Sequence, residues 1–197
     1  MSQRSMVECV GTIVGEPVFA YRSNMHSFYS IKLAVCRLSS ACDVLPVYLF
    51  EEQLFPFVAC KQRVLISGEL RSYSQVTGEK RRLIVYIQAY RICPTEHPDE
   101  NRVCLQGYVV KPPILRRTPF GKEICDILLL VRRNANKSDT VPIIAWNTMA
   151  RRTVHLCAGD TLCIEGRFQS REYEKRFPNG DCLIKTTYEV SCSDIVT

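Results

Sequence analysis

The feature that most constrains the fold of this chain is an internal repeat. Gly107 follows Gly11 by 96 positions, and the same offset aligns further landmarks without a gap. These pairs are Val14 with Val110, Pro17 with Pro113, Ile31 with Ile127, Leu33 with Leu129, Val35 with Val131, Pro46 with Pro142 and Phe50 with Trp146. Beyond them the offset becomes 98, which aligns Gly68 with Gly166. So constant an offset indicates a duplicated domain.

Each half of the repeat predicts five β-strands, because runs of β-branched and aromatic residues alternate with turn residues. In the first half the strands lie near 7–14, 27–37, 44–50, 62–74 and 81–92. In the second half they lie near 102–110, 123–133, 140–146, 160–173 and 181–192. Between strands three and four, residues 147–159 have helix-compatible spacing, with Asn147 as the N-cap and Gly159 as the stop. Pro56 limits the equivalent segment, 51–60, to a turn or two of helix.

This order of elements predicts the architecture. Five strands with a short helix between strands three and four are typical of the OB fold, so we expect an all-β protein of two tandem OB-fold five-stranded barrels. A chain of 197 residues accommodates two such domains, which need about 100 residues each. We place the N-terminal domain at 1–92, a polar linker with two prolines at 93–101 and the C-terminal domain at 102–197.

The charge and hydropathy of the chain indicate a globular protein. The formal net charge is +6, and a positive balance suits a polyanionic partner. The sequence contains no run of eighteen apolar residues, so we expect no membrane span. The N-terminus lacks the apolar core of an export signal, so we expect a cytoplasmic protein.

The eleven cysteines predict neither a disulfide framework nor a metal site. Their number is odd and no export signal precedes them, so we expect reduced thiols. Cys9, Cys36 and Cys163 lie in apolar strand-like runs, which is typical of small buried hydrophobic residues. No two cysteines have C-x-x-C spacing and no two histidines have the spacing of metal ligands. We therefore expect no metal and no cofactor.

Nothing in the sequence predicts a catalytic site. His26, His97 and His155 lie in unrelated contexts, and there is no nucleophile elbow, phosphate-binding loop or cluster of carboxylates. A metal-dependent nuclease would need such a cluster. We therefore expect a protein that is not an enzyme.

The second half carries three specific motifs in register. They are an N-x-V-x-L-x-G opening, a P-x-x-R-x-T-P-x-G turn and a G-D-x-x-x-I-E-G-R strand, within NRVCLQGYVVKPPILRRTPFGKEICDILLLV (101–131), AWNTMARR (145–152) and GDTLCIEGRFQSREY (159–173). Together they resemble the bacterial single-stranded DNA-binding protein family over nearly all of 101–195. The first half resembles this family more weakly, through GTIVGEPVFAY (11–21), FYSIKLAV (28–35), VYLFEE (47–52) and VLISGELRSY (64–73).

The resemblance implies sequence-independent binding and protection of single-stranded DNA in replication, recombination or repair. Bases would stack on aromatic side chains, because a ring accepts any base. Trp146 falls on the family's stacking aromatic after strand three, and Tyr173 falls on another, late in strand four. Two further stacking positions of the family fall on 134–135 and on Thr140, where this chain has no aromatic residue.

Four more rings are candidates for the nucleic-acid-binding surface. In the first half, Phe50 matches Trp146, and Tyr21 takes the place of a tyrosine that is common in the family's first turn. Tyr73, late in strand four, is a further candidate there. In the second half, Phe120 lies in the turn T-P-F-G, where we expect it to be exposed near the path of the DNA.

Basic residues are expected to contact the phosphates, releasing counterions from the DNA. The candidates are Arg116, Arg117, Lys122, Arg132, Arg133, Arg167 and Arg171. Adjacent side chains in a strand point to opposite faces, so only one of Arg132 and Arg133 should reach the groove. Arg167 and Arg171 are four residues apart on one strand and share a face.

The resemblance also bears on the assembly. The family often assembles four OB domains, so a homodimer of this chain would suffice. The family usually ends in a flexible acidic tail that recruits repair and replication proteins. This chain stops at CSDIVT (192–197), directly after strand five, so we do not expect recruitment by that route.

Two alternatives to this function stay open. The chain could be an OB-fold interaction module, such as a primosome-assembly or recombination-mediator component, with weak intrinsic DNA binding. The two domains could also divide the labour, the second binding DNA while the degenerate first domain is mostly structural.

Overall fold

The first half of the chain folds into a closed five-stranded barrel. The structure is a computed structural model, which describes residues 5–54, 61–78, 80–133, 136–176 and 181–196. The strands are β1 (Ser5–Ser23), β2 (His26–Cys36), β3 (Cys42–Phe50), β4 (Arg63–Thr77) and β5 (Lys80–Pro94). They run β1-β2-β3-β5-β4 around the barrel, and β4 pairs with β1 to close it. The β3–β5 pair is parallel, and a 3-10 turn (Glu51–Gln53) follows β3.

The second half repeats this barrel. Its elements are β6 (Glu100–Val109), β7 (Ile114–Arg117), β8 (Glu123–Arg132), β9 (Ser138–Trp146), α1 (Thr148–Thr153), β10 (Thr161–Arg176) and β11 (Cys182–Ile195). Strand β6 pairs with both β8 and β10, and the β9–β11 pair is parallel. Strand β7 lies at the edge, on β8. The expected all-β fold of two tandem OB barrels is confirmed.

Two elements of the second barrel differ from the sequence-based prediction. The sequence indicates the P-x-x-R-x-T-P-x-G segment as a turn. Within it, however, Ile114–Arg117 pair antiparallel with 123–126 and form strand β7. Helix α1 is shorter than the predicted 147–159, and Asn147 forms no side-chain cap. After the helix the chain returns to the barrel, where the backbone nitrogen of Gly159 donates to the carbonyl oxygen of Val109 at 2.8 Å.

The repeated glycines are explained by close backbone contacts at equivalent places. A Cβ on Gly11 would overlap the carbonyl oxygen of Ala34, and a Cβ on Gly107 would overlap that of Leu130. Gly68 and Gly166 meet carbonyl oxygens in the same way, where β4 pairs with β5 and β10 with β11. Only glycine leaves room for the neighbouring backbone, so the fold needs these glycines in both halves.

Alternating apolar residues fill the two barrels. In β3 the fully buried side chains are Leu45, Val47 and Leu49, and in β9 they are Val141 and Ala145, with Ile143 2% exposed. This period of two turns one face of each strand inward. Burial of each large aliphatic side chain contributes about 1.5–3 kcal/mol, so these rows supply the main force for folding.

The two barrels share one sheet. Strands β1 and β6 pair antiparallel, Ser5–Val10 against Glu100–Leu105. Because β5 ends at Pro94 and β6 begins at Glu100, only 95–99 lie between the last strand of one barrel and the first of the other. Asp99 anchors this connection, accepting a hydrogen bond from the backbone nitrogen of Cys36 at 2.6 Å and pairing with Arg63 at 2.8 Å.

Two equivalent carboxylates lock the barrels together away from the shared strands. Asp139 of the second barrel accepts a hydrogen bond from the backbone nitrogen of Ser72 at 2.5 Å. Its counterpart in the first barrel, Asp43, accepts one from the backbone nitrogen of Ser170 at 2.9 Å. The two side chains are 1% and 2% exposed. Each also pairs with an arginine of its own barrel, so both buried charges are neutralised.

The structure corrects one expectation about the cysteines. Cys36 and Cys42 form a disulfide, so reduced thiols are the wrong expectation for this pair, and Cys36 is exposed rather than buried. The two residues lie directly opposite each other in the β2–β3 pair, with their Cα atoms 4.0 Å apart. The linear sequence does not reveal this register. Cys9 is buried as predicted, and Cys163 is half-buried.

Candidate nucleic-acid interface

Six aromatic rings form a continuous row on the first barrel. Neighbouring ring centroids lie between 4.4 and 6.2 Å apart, which is the range of favourable aromatic pairs. In spatial order this ring row consists of Phe50, Phe28, Tyr21, Tyr48, Tyr86 and Tyr73. It presents flat apolar surface across all five strands of the first barrel, as stacking of unpaired bases requires.

The register of the strands explains this row. Tyr21 lies opposite Phe28 in the β1–β2 pair, and Phe28 lies opposite Phe50 in the β2–β3 pair. Tyr48 precedes Phe50 by two positions in β3 and therefore lies on the same face. The most open rings are Tyr73 and Tyr21, at 43% and 37% exposed, while Phe50 and Phe28 are half-buried.

Sequence reasoning found half of the ring row. It selected Tyr21, Phe50 and Tyr73, and the structure brings all three into one row. It missed Phe28, Tyr48 and Tyr86. The alternation of Tyr48 and Phe50 along β3 is the one signal that could have indicated a shared face.

The hydroxyls of Tyr21, Tyr48 and Tyr86 remain protonated at physiological pH. Burial, together with the neighbouring Tyr73, raises the pKa of Tyr48 to about 12. Burial also raises the pKa of Tyr86 and of Tyr21, while the guanidinium of Arg133 acts in the opposite direction on both. The rings therefore present neutral surfaces, which carry no repulsion against a polyanion.

The three predicted rings of the second barrel lie apart from one another. Trp146 is half-buried at the end of β9 and lies opposite Ile124, the same place that Phe50 has in the first barrel. Tyr173 is 39% exposed on β10. Phe120 is 94% exposed, in a turn closed by the backbone nitrogen of Thr118, which donates to the carbonyl of Lys122 at 2.9 Å. No ring contact joins these three within the described residues.

Four of the seven predicted phosphate contacts already have carboxylate partners. The pairs are Arg116 with Asp126 at 2.5 Å, Arg117 with Glu123 at 3.2 Å, Arg171 with Glu189 at 3.2 Å, and Arg133 with Asp139. A cation with a carboxylate partner attracts a phosphate less strongly than a free one. Of these four ion pairs, that of Arg133 with Asp139 is the least accessible to solvent, since the Asp139 side chain is only 1% exposed.

The other three basic residues form no ion pair with any residue in the described ranges. They are Lys122, Arg132 and Arg167. Arg132 lies over the ring of Tyr108, 5.2 Å from its centroid. Arg133 lies directly after β8 and turns towards Asp139, so the two adjacent arginines have different partners. Burial and the nearby positive charge of Arg37 lower the pKa of Arg167, while the carboxylate of Asp43 acts in the opposite direction.

The described ranges contain no cluster of metal-ligating side chains. Within them, no helix is long and apolar enough to span a membrane.

Comparisons with known proteins agree with the fold. Residues 100–195 match the model of the single-strand binding protein family. Single-stranded DNA-binding protein B of Bacillus subtilis is 35% identical over 81 residues, which cover 38% of this chain and 72% of that protein. Single-stranded DNA-binding protein A of the same organism is 31% identical over 83 residues, 39% of this chain and 48% of that protein. The match thus spans about half the length of most of these relatives.

The whole two-barrel arrangement also has a solved counterpart. The wild-type single-stranded DNA-binding protein from Thermus aquaticus superimposes with a TM-score of 0.77, over 98% of this chain and 91% of that one. At 20% identity this likeness concerns the fold alone. Taken with the sequence match over the second barrel, it leads to one assignment: the chain belongs to the single-strand binding protein family.

Proposed function

We propose that the chain binds single-stranded DNA without sequence preference and protects it during replication, recombination or repair. The observation that carries this proposal is the ring row of the first barrel, in a chain of the single-strand binding protein family. A continuous aromatic surface stacks bases of any identity, whereas a duplex keeps its bases stacked inside. Lys122, Arg132 and Arg167, which have no carboxylate partner within the described residues, add positive charge for the phosphates.

The mode of action is binding without chemistry. The relatives that the chain matches are named for binding single-stranded DNA, and the arrangement of rings and arginines needs no nucleophile to perform that task. We place the protein in the bacterial cytoplasm or nucleoid, where it would work as a homodimer with four barrels. Sedimentation of the purified chain at micromolar concentration should give the mass of two chains, and the mass of one chain would contradict the dimer.

A titration of fluorescently labelled oligo(dT) tests the proposed function. Anisotropy should rise at low salt with dT oligomers long enough to span both barrels, and a blunt duplex of the same length should not compete. Affinity should fall as salt increases, because counterions are released on binding. Absence of binding at low salt would contradict the proposal and favour the alternative of an interaction module.

A further inference from the structure

The barrels meet at two junctions related by the internal repeat. At the first junction, Asp139 of the second barrel contacts Ser72 of the first. At the second junction, Asp43 of the first barrel contacts Ser170 of the second. Arg133 forms an ion pair with Asp139, and Arg37 forms one with Asp43 at 2.7 Å. Any difference between the junctions therefore shows how the two halves have diverged.

The surfaces beside the two junctions differ sharply. The strand register identifies equivalent positions in the two barrels. Tyr48 lies opposite Ser30 in the β2–β3 pair and Ile144 lies opposite Asp126 in the β8–β9 pair, so Tyr48 and Ile144 are equivalent. Phe28 and Tyr48 of the first barrel correspond to Ile124 and Ile144 of the second. Tyr73 and Tyr86 correspond to Arg171 and Glu189, and Tyr21 corresponds to the pair Arg116–Arg117. Of the six positions in the ring row, only that of Phe50 keeps a ring, as Trp146. The two halves therefore share the junction residues but differ in the side chains beside them.

The ring row reaches the first junction itself. Tyr73 follows Ser72 directly in β4, and Tyr86 lies opposite Arg71 in the β4–β5 pair. Arg71 in turn contacts the carboxylate of Asp139 at 3.3 Å. The last rings of the row thus lie beside a buried ion pair of the other barrel, whose charges act on the Tyr86 hydroxyl.

The charges of the first junction are balanced. Arg71 pairs with Glu69 as well as with Asp139, and Arg133 pairs with Asp139. Two arginines therefore face two carboxylates. This surface attracts a nucleic acid through its rings rather than through net charge.

We propose that the chain holds single-stranded nucleic acid asymmetrically, with its bases stacked on Tyr21 and Tyr73 at the first junction and no equivalent stacking at the second. This inference rests on the proposed function and specifies where the bases lie. The half that resembles the family more weakly then supplies most of the stacking surface. The second half supplies Trp146 and the unpaired cations.

Substitution of Tyr73 by alanine and by phenylalanine tests the inference. Binding of labelled oligo(dT) to Tyr73→Ala should weaken about 5- to 150-fold, the equivalent of the 1–3 kcal/mol that one stacked base contributes. Tyr73→Phe should bind like the unchanged protein, because it keeps the ring. Tyr90→Ala is the matched control, since Tyr90 is 52% exposed on β5 and has no ring contact within the described residues. It should bind normally.

Photocrosslinking of the unchanged protein gives an independent readout. Oligo(dT) with 5-iodouracil should crosslink under ultraviolet light to peptides that contain Tyr21 or Tyr73. Unchanged binding by Tyr73→Ala, with crosslinks confined to the second barrel, would overturn the inference while leaving the proposed function intact. Absence of any binding by the unchanged protein would overturn both.

Discussion

The carboxylate of Asp43 accepts two hydrogen bonds from Ser170, a residue 127 positions further along the chain. The backbone nitrogen of Ser170 donates at 2.9 Å and its hydroxyl at 3.1 Å. Arg37 holds the same carboxylate from the other side through two bonds of 2.7 Å. Such a buried charge is tolerated only because every partner is present, so this contact fixes one barrel against the other.

Replacement of Asp43 by asparagine should destabilise the protein at neutral pH. Burial alone would raise the pKa of Asp43, but the hydrogen bonds from Arg37 and Ser170 outweigh burial and hold this pKa below its ordinary value. The stabilisation is therefore complete above the pKa of the unfolded state, about 3.9. It is lost as the pH falls through the lower pKa of the folded state. Urea denaturation at pH 7 should show a loss of about 1–3 kcal/mol.

The same experiment has a matched control in the second barrel. Asp126 pairs with Arg116, but both side chains are more than 40% exposed. Asp126→Asn should therefore cost less than about 1 kcal/mol. A loss in Asp43→Asn that is no larger than this, or that persists unchanged at pH 2, would contradict the account of the lock.

Replacement of Gly107 by alanine should destabilise the second barrel. The new Cβ would overlap the carbonyl oxygen of Leu130, and backbone cannot move aside as a flexible side chain can. We expect a loss of about 1–3 kcal/mol, measured by urea denaturation. Gln106→Ala is the control on the same strand, because Gln106 is only half-buried. Equal stability of the two variants would show that the repeated glycines have no packing role.

Replacement of Arg167 by alanine should reduce the salt dependence of DNA binding. Arg167 forms no ion pair with a carboxylate in the described ranges, so its charge is available to a phosphate. The slope of log affinity against log salt should become shallower by about 0.7, the value for one phosphate of a single strand. Tyr73→Ala should leave this slope unchanged. An unaltered slope in Arg167→Ala would remove this residue from the interface.

Alkylation of the denatured protein should detect two more thiols after reduction than before it. The reason is the disulfide between Cys36 and Cys42, which face each other across β2 and β3. Their counterparts in the second barrel are Arg132 and Ser138, which offer no such bond. Mass spectrometry would count the alkyl groups. Equal counts before and after reduction would contradict the disulfide.

The sequence predicts the barrels well because the repeat, the glycines and the period of two are local or linear signals. Gly11 and Gly107 each lie against a neighbouring backbone carbonyl at the same place in their barrels. Because only glycine fits there, the two glycines align in the repeat. Helix α1 is shorter than predicted because the chain after it is drawn back to Val109 by a tertiary hydrogen bond.

The candidate site is predicted less completely, because it depends on contacts between distant segments. Tyr86 joins the ring row through strand pairing, which no linear pattern reveals. Arg133 looks like a phosphate contact in the sequence, but in the fold it pairs with Asp139 at the first junction. Sequence reasoning therefore does not foresee contacts in which the partner comes from another strand or from the other barrel.

The fluorescence of Trp146 during a titration with oligo(dT) tests the central claim most directly. Trp146 is the single tryptophan of the chain and the one aromatic residue that the second barrel keeps at a ring-row position. We predict quenching that saturates with oligo(dT), weakens as salt rises, and does not occur with duplex DNA. Unchanged fluorescence, together with no change in the anisotropy of a labelled oligomer at low salt, would contradict single-strand binding by this chain.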